Sequence, residues 1–424
     1  MCAISLWSFI RSNFPILRSG TAPHPLIERH SRAAKGCTWS PSAPPPPASL
    51  GAELEAYTSS PVVAGNRVDL LLNGEQIFPA MLEAVRSARH TITFAQYAYG
   101  QGPVASELVQ ALAERCRAGV GVDVLLDGFG SLQIPPEFIA DLRRAGCWVV
   151  IFHPLDRPGT IDHRNHRRIL VIDGRIGFTG GAGVGRKWTG DGRRGDHWRD
   201  TDVRVEGPVV AELQRAFAEN WREAAGDLLV GDAYYPAAPP RGLVAAQVIA
   251  SSPLAGRYET YEMFLLAIEA ARRSIHVTTP YFLPNPALTD ALIRAVRRGV
   301  RVVVLTPGPI DYNIVRRLSR AGFGQLLQAG VEIHEYRPAL LHAKTLTVDG
   351  VWATVGSANL DNRSLAINAE LNLVVYDADF AERLDRVFAD DVRYSEPVEY
   401  ARWRARGLGS RLLELLAAPL RDLM

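Results

Sequence analysis

The chain has 424 residues, 47% of them hydrophobic and 22% charged, the balance of a globular protein long enough for two or three domains. Its 47 basic and 45 acidic side chains leave a net charge of +2. That excludes whole-molecule steering toward nucleic acid or an anionic membrane, so any polyanion site must be local. Only Lys35, Lys187 and Lys344 are lysines; all other basic residues are arginine. The cysteines Cys2, Cys37, Cys116 and Cys147 show no CxxC spacing. Neither a disulfide framework nor a zinc site is expected, and a reducing compartment is the default.

Residues 1–56 carry a proline run ending at Pro47 and no sustained periodicity, which predicts a disordered arm. The stretch Leu6 to Leu17 is interrupted by Arg11, Asn13 and Pro15 and lacks a signal-peptide cleavage pattern. No run approaches the roughly 18 apolar residues of a spanning helix, so a soluble or peripheral protein is expected. From about Asn66 apolar helical patterns alternate with short β-branched runs. Helices are predicted over Glu75 to Arg89 and Ser106 to Ala118, strands over Thr91 to Phe94 and Val120 to Leu126. This alternation indicates an α/β fold. The chain then repeats itself. Ala84 to Thr93 resembles Ala267 to His276, and Ala111 to Gly128 resembles Ala291 to Gly308. So long a period far exceeds that of a solenoid unit and marks a duplicated domain. The halves run over 57–235 and 243–400, joined by Tyr235 to Pro240. Residues 401–424 read as a C-terminal amphipathic helix that docks on its own domain or lies on a membrane surface.

The strongest signal occurs late in each half. His166-Arg167-Arg168 leads through Asp173-Gly174 to Thr179-Gly180-Gly181-Ala182-Gly183. His342-Ala343-Lys344 leads through Asp349-Gly350 to Gly356-Ser357-Ala358-Asn359. One constant offset relates His166 to His342, Arg168 to Lys344, Asp173 to Asp349, and Gly183 to Asn359. Alternating apolar residues make each segment a strand, so the histidine and the cation two residues on share a face. Asp173 and Asp349 precede glycine, as in hairpin turns, and take a structural role. If the halves pack about a pseudo-twofold axis, two imidazoles and two cations converge on one phosphate. One histidine then attacks phosphorus, the other protonates the leaving oxygen, and Arg168 and Lys344 neutralise the non-bridging oxygens. Gly181 offers close backbone approach, and Ser357 and Asn359 add side-chain donors. Asp200 and Glu370, each opening the next strand, are candidate acceptors for the second imidazole nitrogen. His163 and His166 are badly spaced for a metal, and none is assigned. The Lys187, Arg193, Arg194 loop is either solvated or contacts an anionic headgroup.

The duplicated motif resembles the phospholipase D superfamily over about residues 57–415. Within it the chain looks most like bacterial cardiolipin synthases without transmembrane helices. That likeness rests on Tyr281 to Leu288, His334-Glu335-Tyr336, Leu341 to Thr345 and Gly356 to Ser364, with Trp198 to Thr201 and Val205 to Pro208 in the first half. The resemblance implies two α/β/α sandwich halves sharing one active site at a pseudo-twofold interface. It implies a phosphohistidine intermediate, with His166 as nucleophile and His342 as general acid and then base. It implies phosphatidyl transfer onto an anionic phospholipid such as phosphatidylglycerol, or hydrolysis if water is the acceptor, with no cofactor. A peripheral place at the inner face of the cell membrane follows. Two departures stand out: Arg168 where the family has lysine, and Gly183 where many members have asparagine. Two other readings stay open. One is a nucleic-acid phosphodiesterase, which the near-neutral charge disfavours. The other is a phosphate- or lipid-binding protein with an impaired first half.

Overall fold

The computed structural model describes residues 47–156, 159, 162–309, 311 and 313–407. After α1 (Pro47–Thr58) the first half runs β1 (Val63–Leu72), α2 (Asn73–Ser87), β2 (Thr91–Gln96), α3 (Pro103–Arg117), β3 (Gly121–Asp127), α4 (Pro136–Arg144) and β4 (Trp148–Phe152). It continues with β5 (Ile169–Ile172), β6 (Ile176–Gly180), β7 (Thr201–Glu206) and α5 (Val210–Ala225). The second half runs β8 (Val244–Ser251), α6 (Glu259–Ala270), β9 (Ser274–Thr278), α7 (Pro286–Arg297), β10 (Arg301–Pro307), α8 (Asn313–Ala329) and β11 (Glu332–Tyr336). Then come β12 (Thr345–Val348), β13 (Trp352–Gly356), α9 (Asn362–Ala366), β14 (Glu370–Tyr376), α10 (Ala378–Arg393), β15 (Ser395–Pro397) and α11 (Tyr400–Arg404).

Among the described residues all strands form one sheet, ordered β15-β11-β10-β9-β12-β13-β14-β8-β1-β7-β6-β5-β2-β3-β4. Read outward from the β8–β1 seam, both sides have the same order, so the sequence repeat is a repeat of topology. β2 and β3 pair in parallel, as do β9 and β10. Their near-continuous apolar sequences suit strands covered on both faces. α2 and α3 pack with Ile92, Phe94, Val122 and Val124 on one face of the first half. α6 and α7 do the same with Ile275, Val277, Val302 and Val304 in the second. A third core belongs to both halves: Leu213, Phe217 and Trp221 of α5 and Phe380 and Leu384 of α10 join Val203, Val205, Val248, Val355, Leu371 and Leu373. The seam is therefore closed by shared apolar burial as well as by strand pairing.

Two expectations are corrected. Residues 47–56 of the expected arm belong to α1, whose Leu50 and Leu54 are buried in the core beside α6. One leucine pair at i, i+4 beside a proline run is too little periodicity to read. Pro47 itself sits where proline is tolerated, in the first turn. Cys116 and Cys147 are joined by a disulfide, with Cα atoms 5.6 Å apart. The parallel β3–β4 pairing brings the end of α3 against the start of β4, across a stretch of chain that carries no recognisable spacing. The expected C-terminal helix is described only as α11; residues 408–424 lie outside the described residues, as do 1–46. Among the described residues no helix is long and apolar enough to cross a membrane.

Candidate active site

Each histidine motif ends in a β-hairpin, β5–β6 or β12–β13. The turns are Asp173-Gly174 and Asp349-Gly350, with all four residues at positive φ (51°, 60°, 57° and 68°). This is the turn chemistry that Asp-Gly favours between twisted strands. Each aspartate also reaches outside its hairpin. Asp173 accepts from the backbone N–H groups of Arg89, His90 and Thr91 at 2.7–3.2 Å. Asp349 accepts from Arg272, Arg273 and Ser274 at 2.7–3.3 Å. Both turns are thereby tied to the strand entering from the preceding helix. The histidine and its cation lie just ahead of the regular strand, in extended lead-ins anchored across the seam. His166 N–H donates to Ala369 O (2.9 Å), and His342 N–H donates to Arg199 O (2.7 Å).

That anchoring crosses the side-chain pairs. His166 Nδ1 faces both carboxylate oxygens of Glu370, at 2.8 and 2.9 Å. His342 Nδ1 faces Asp200 Oδ2 at 2.6 Å. Each imidazole of one half is held by a carboxylate of the other. A carboxylate partner places the N–H on Nδ1 and leaves the lone pair on Nε2. Arg168 donates to its own histidine's carbonyl (2.8 Å) and to His166 Nε2 (3.2 Å). Lys344 Nζ donates to the His342 carbonyl and lies 2.9 and 3.0 Å from the two ring nitrogens. All six side chains are buried.

The charges are asymmetric. Burial, Arg168 and Lys344 push His166 well below the ordinary histidine range. Burial pushes His342 down to about 3, with Lys344 adding and Asp200 opposing. Burial opposes ionisation of Asp200, but His342 and Lys344 outweigh it and hold the carboxyl at about 2. Burial raises Glu370 to about 7 against the Ser357 and Ser364 hydroxyls and the charges of Arg168 and Lys344. Lys344 falls to about 7, chiefly by burial. Both imidazoles are therefore neutral near pH 7, beside Arg168 and Lys344, whose charge Asp200 and Glu370 partly balance. An anionic phosphodiester placed among these groups offsets that charge and raises proton affinity at both rings.

A profile described as "Cardiolipin synthase, PLD-like domain" matches the chain twice, over residues 81–221 and 264–392. The chain belongs to the phospholipase D-like family. Cardiolipin synthase A of Pseudomonas fluorescens (strain SBW25) is 38% identical over 370 residues, 84% of this chain and 76% of the relative. A cardiolipin synthase of Geobacillus thermodenitrificans is 34% identical over 369 residues, covering 86% and 74%. Among solved structures, the phosphatidylserine synthase of Haemophilus influenzae superposes with a TM-score of 0.65 at 13% identity, covering 88% of this chain and 99% of that one. That likeness shows the fold.

Of the expected phosphate donors, the Gly181 N–H and the Ser357 hydroxyl have partners within the protein, as does the Ser357 N–H. Gly181 N–H donates to Thr201 O (3.2 Å), and Ser357 N–H donates to Leu371 O (2.8 Å). The Ser357 hydroxyl donates to Glu370 Oε2 at 2.5 Å. These contacts hold Glu370 and the strand ends in place. Asn359 Nδ2 donates to Ser364 Oγ (3.2 Å), while its buried Oδ1 has no partner among the described residues. Arg168 fills the lysine position with its guanidinium 5.8 Å from the Tyr97 ring, and its buried Nε has no acceptor among the described residues. Sequence reasoning missed several neighbours. Tyr97 meets His166 edge-on at 4.6 Å, and Trp198 lies 5.2 Å from His342. Trp188 donates from Nε1 to Asp200 Oδ2 (3.1 Å). Only Trp188 carried a readable signal, since the offset between the two motifs pairs it with Ser364. The basic loop is pinned, since Arg193 pairs with Asp390 (2.5 Å) and lies over the Tyr394 ring.

Proposed function

We propose that the protein is a phosphatidyltransferase that makes cardiolipin from two phosphatidylglycerol molecules. The observation that carries this reading is the crossed pair: two buried histidines, each with Nδ1 on a carboxylate of the other half and each beside its own cation. His166 Nε2 attacks the donor phosphorus. The bond to the headgroup oxygen breaks, and that oxygen leaves as glycerol with the Nε2 proton that His342 takes up from solvent once the bound phosphodiester has raised its proton affinity. The phosphatidyl group is now on His166 Nε2, stabilised through Nδ1–H by Glu370. Neutral His342 takes the proton from the acceptor's glycerol hydroxyl, whose oxygen attacks phosphorus and breaks the P–N bond. Arg168 and Lys344 oppose the charge that develops on the non-bridging oxygens. Assigning the proton shuttle to His342 is supported by Asp200, which is ionised at any working pH and favours imidazolium. Water in the acceptor's place gives phosphatidic acid. The curated relatives named cardiolipin synthase support the substrate class. With such a substrate the protein works as a peripheral protein at the cytoplasmic face of the cell membrane.

The test is incubation of the purified protein with phosphatidylglycerol vesicles in EDTA, with products identified by mass spectrometry. Cardiolipin and glycerol are expected, and neither His166→Ala nor His342→Ala forms them. Phosphatidic acid alone would replace transfer by hydrolysis. Cleavage of DNA without lipid turnover would overturn the lipid reading.

A further inference from the structure

The two halves fix their catalytic carboxylates with different chemistry. In the second half the Ser357 hydroxyl donates to Glu370. The Ser364 hydroxyl accepts from Asn359 and helps to oppose the upward shift of Glu370. In the register set by the paired histidines, Gly181 corresponds to Ser357, Gly183 to Asn359 and Trp188 to Ser364. The first half thus has two bare glycines where the second has two donors, and an indole where the second has a hydroxyl. The indole occupies the vacated space. A Cβ on Gly183 would fall 2.7, 2.8 and 2.9 Å from three atoms of the Trp188 six-membered ring. A Cβ on Gly181 would collide with Asp200 Oδ1. Neither glycine sits at a positive φ, so close approach alone requires them.

The indole is held on all sides. Trp188 closes a 3₁₀ turn (Arg186–Trp188) whose carbonyl packs so tightly on α2 that a Cβ at Gly74 would collide with it. Its ring meets Trp198 at 4.7 Å and His342 at 5.6 Å, both edge-on. Its N–H reaches Asp200 Oδ2, the same oxygen that faces His342 Nδ1, and lies 3.5 Å from that nitrogen.

We propose that Trp188 is a positioning residue for the Asp200–His342 pair, its indole N–H standing in for the hydroxyl that holds Glu370, and that Gly183 is present to admit it, as Gly181 is to admit Asp200. An indole N–H donates and cannot accept. It therefore fixes Asp200 as a pure acceptor, in one orientation, with no hydroxyl rotor to reorganise. Gly183 is then one side of an exchange, and the first half has lost no donor relative to the second.

The kinetic part of the test rests on the phosphatidyl-transfer reading; the spectroscopic part does not. Full-length protein is labelled with 15N-histidine, and the His342 Nδ1–H cross-peak is assigned by its absence in His342→Gln. Trp188→Phe keeps an aromatic six-membered ring and removes the pyrrole ring with its N–H. The His342 cross-peak is expected to move, because Oδ2 is relieved of a competing donor, while that of His166 stays. The turnover number for cardiolipin formation is expected to fall about 10- to 100-fold, with KM changed by no more than about twofold. Gly183→Asn, which displaces the indole, is expected to lose at least as much. Gly183→Asn/Trp188→Ser, which copies the second half, is expected to recover about tenfold over Gly183→Asn alone. An unmoved His342 cross-peak in Trp188→Phe would overturn the proposal, as would wild-type turnover in that variant. Should Gly183→Asn not fold, the phenylalanine variant carries the test. If wild-type protein turns over no lipid, the substrate reading fails while the cross-peak still decides the role of Trp188.

Discussion

The chemistry of single residues here is set by burial. Glu370 has no exposed surface, and its carboxyl is raised to about 7. In the proposed mechanism it must be ionised to stabilise the positively charged phosphohistidine at His166. The rate is therefore expected to fall as pH drops through about 7, because protonation removes the acceptor. Glu370→Gln should abolish that limb and slow transfer by about 100-fold or more, as loss of a buried charge-stabilising contact does elsewhere. A pH profile of turnover for both proteins checks this. Arg168 poses a different question, since it departs from the family's lysine. Both Arg168 and Lys344 donate to the carbonyl of their own histidine, and the Arg168 Nε is an extra buried donor without an acceptor among the described residues. Lysine at 168 can repeat the carbonyl contact and removes that orphan. Arg168→Lys is expected to keep turnover within about fivefold, whereas Arg168→Ala loses about 100- to 1,000-fold. A steep loss in the lysine variant would show that the planar fork itself is needed.

At the scale of elements, the hairpins after the histidines were legible and their anchoring was not. The constant register of the two motifs, the Asp-Gly turns and the alternation of β5 and β12 all follow from local sequence. That Asp173 reaches back to the N–H groups of Arg89, His90 and Thr91 depends on β2 lying beside β5, a tertiary fact. Asp173 is thus a strut between two strands. Asp173→Ala removes a charged acceptor shared by three N–H groups and is expected to cost about 2–3 kcal/mol. Turnover per folded molecule should stay within about twofold, checked by thermal melting together with lipid assays. A loss of turnover without a loss of stability would return Asp173 to the chemistry. Helix α1 and the Cys116–Cys147 bridge were illegible for related reasons. One lay behind a proline run with only Leu50 and Leu54 to mark its buried face, and the other joins residues made neighbours only by β3–β4 pairing. The loop that carries Trp188 reads as glycine-rich and basic, and nothing local tells that one aromatic turns inward.

At the scale of the whole molecule, the sequence indicated two halves and one site, and the order of strands repeats accordingly. It did not indicate that each carboxylate serves the opposite histidine, because that depends on how the halves dock. The docking is fixed partly by a buried ion pair across the seam: Arg199, beside Asp200, pairs with Asp391 of α10 at 3.0–3.2 Å. Arg199 also donates to Thr201 Oγ1 (2.9 Å) and to the Asp200 carbonyl. Asp391→Ala leaves that guanidinium buried without its carboxylate, and the expected cost is about 3–5 kcal/mol. Chemical denaturation measures it. Because Arg199 is bonded to the residue that holds His342, turnover should fall as well. Wild-type stability in that variant would show that the seam is held by its shared apolar core alone.

The crossed carboxylates also bear on heredity. A duplicated gene ordinarily leaves one copy free to drift while the other keeps the activity. Here neither half owns a complete histidine–carboxylate pair, so in the proposed mechanism a lesion in either copy impairs a step assigned to the other. Differences around the carboxylates are then expected in compensated sets, and the exchange of Asn359 and Ser364 for Gly183 and Trp188 has that form.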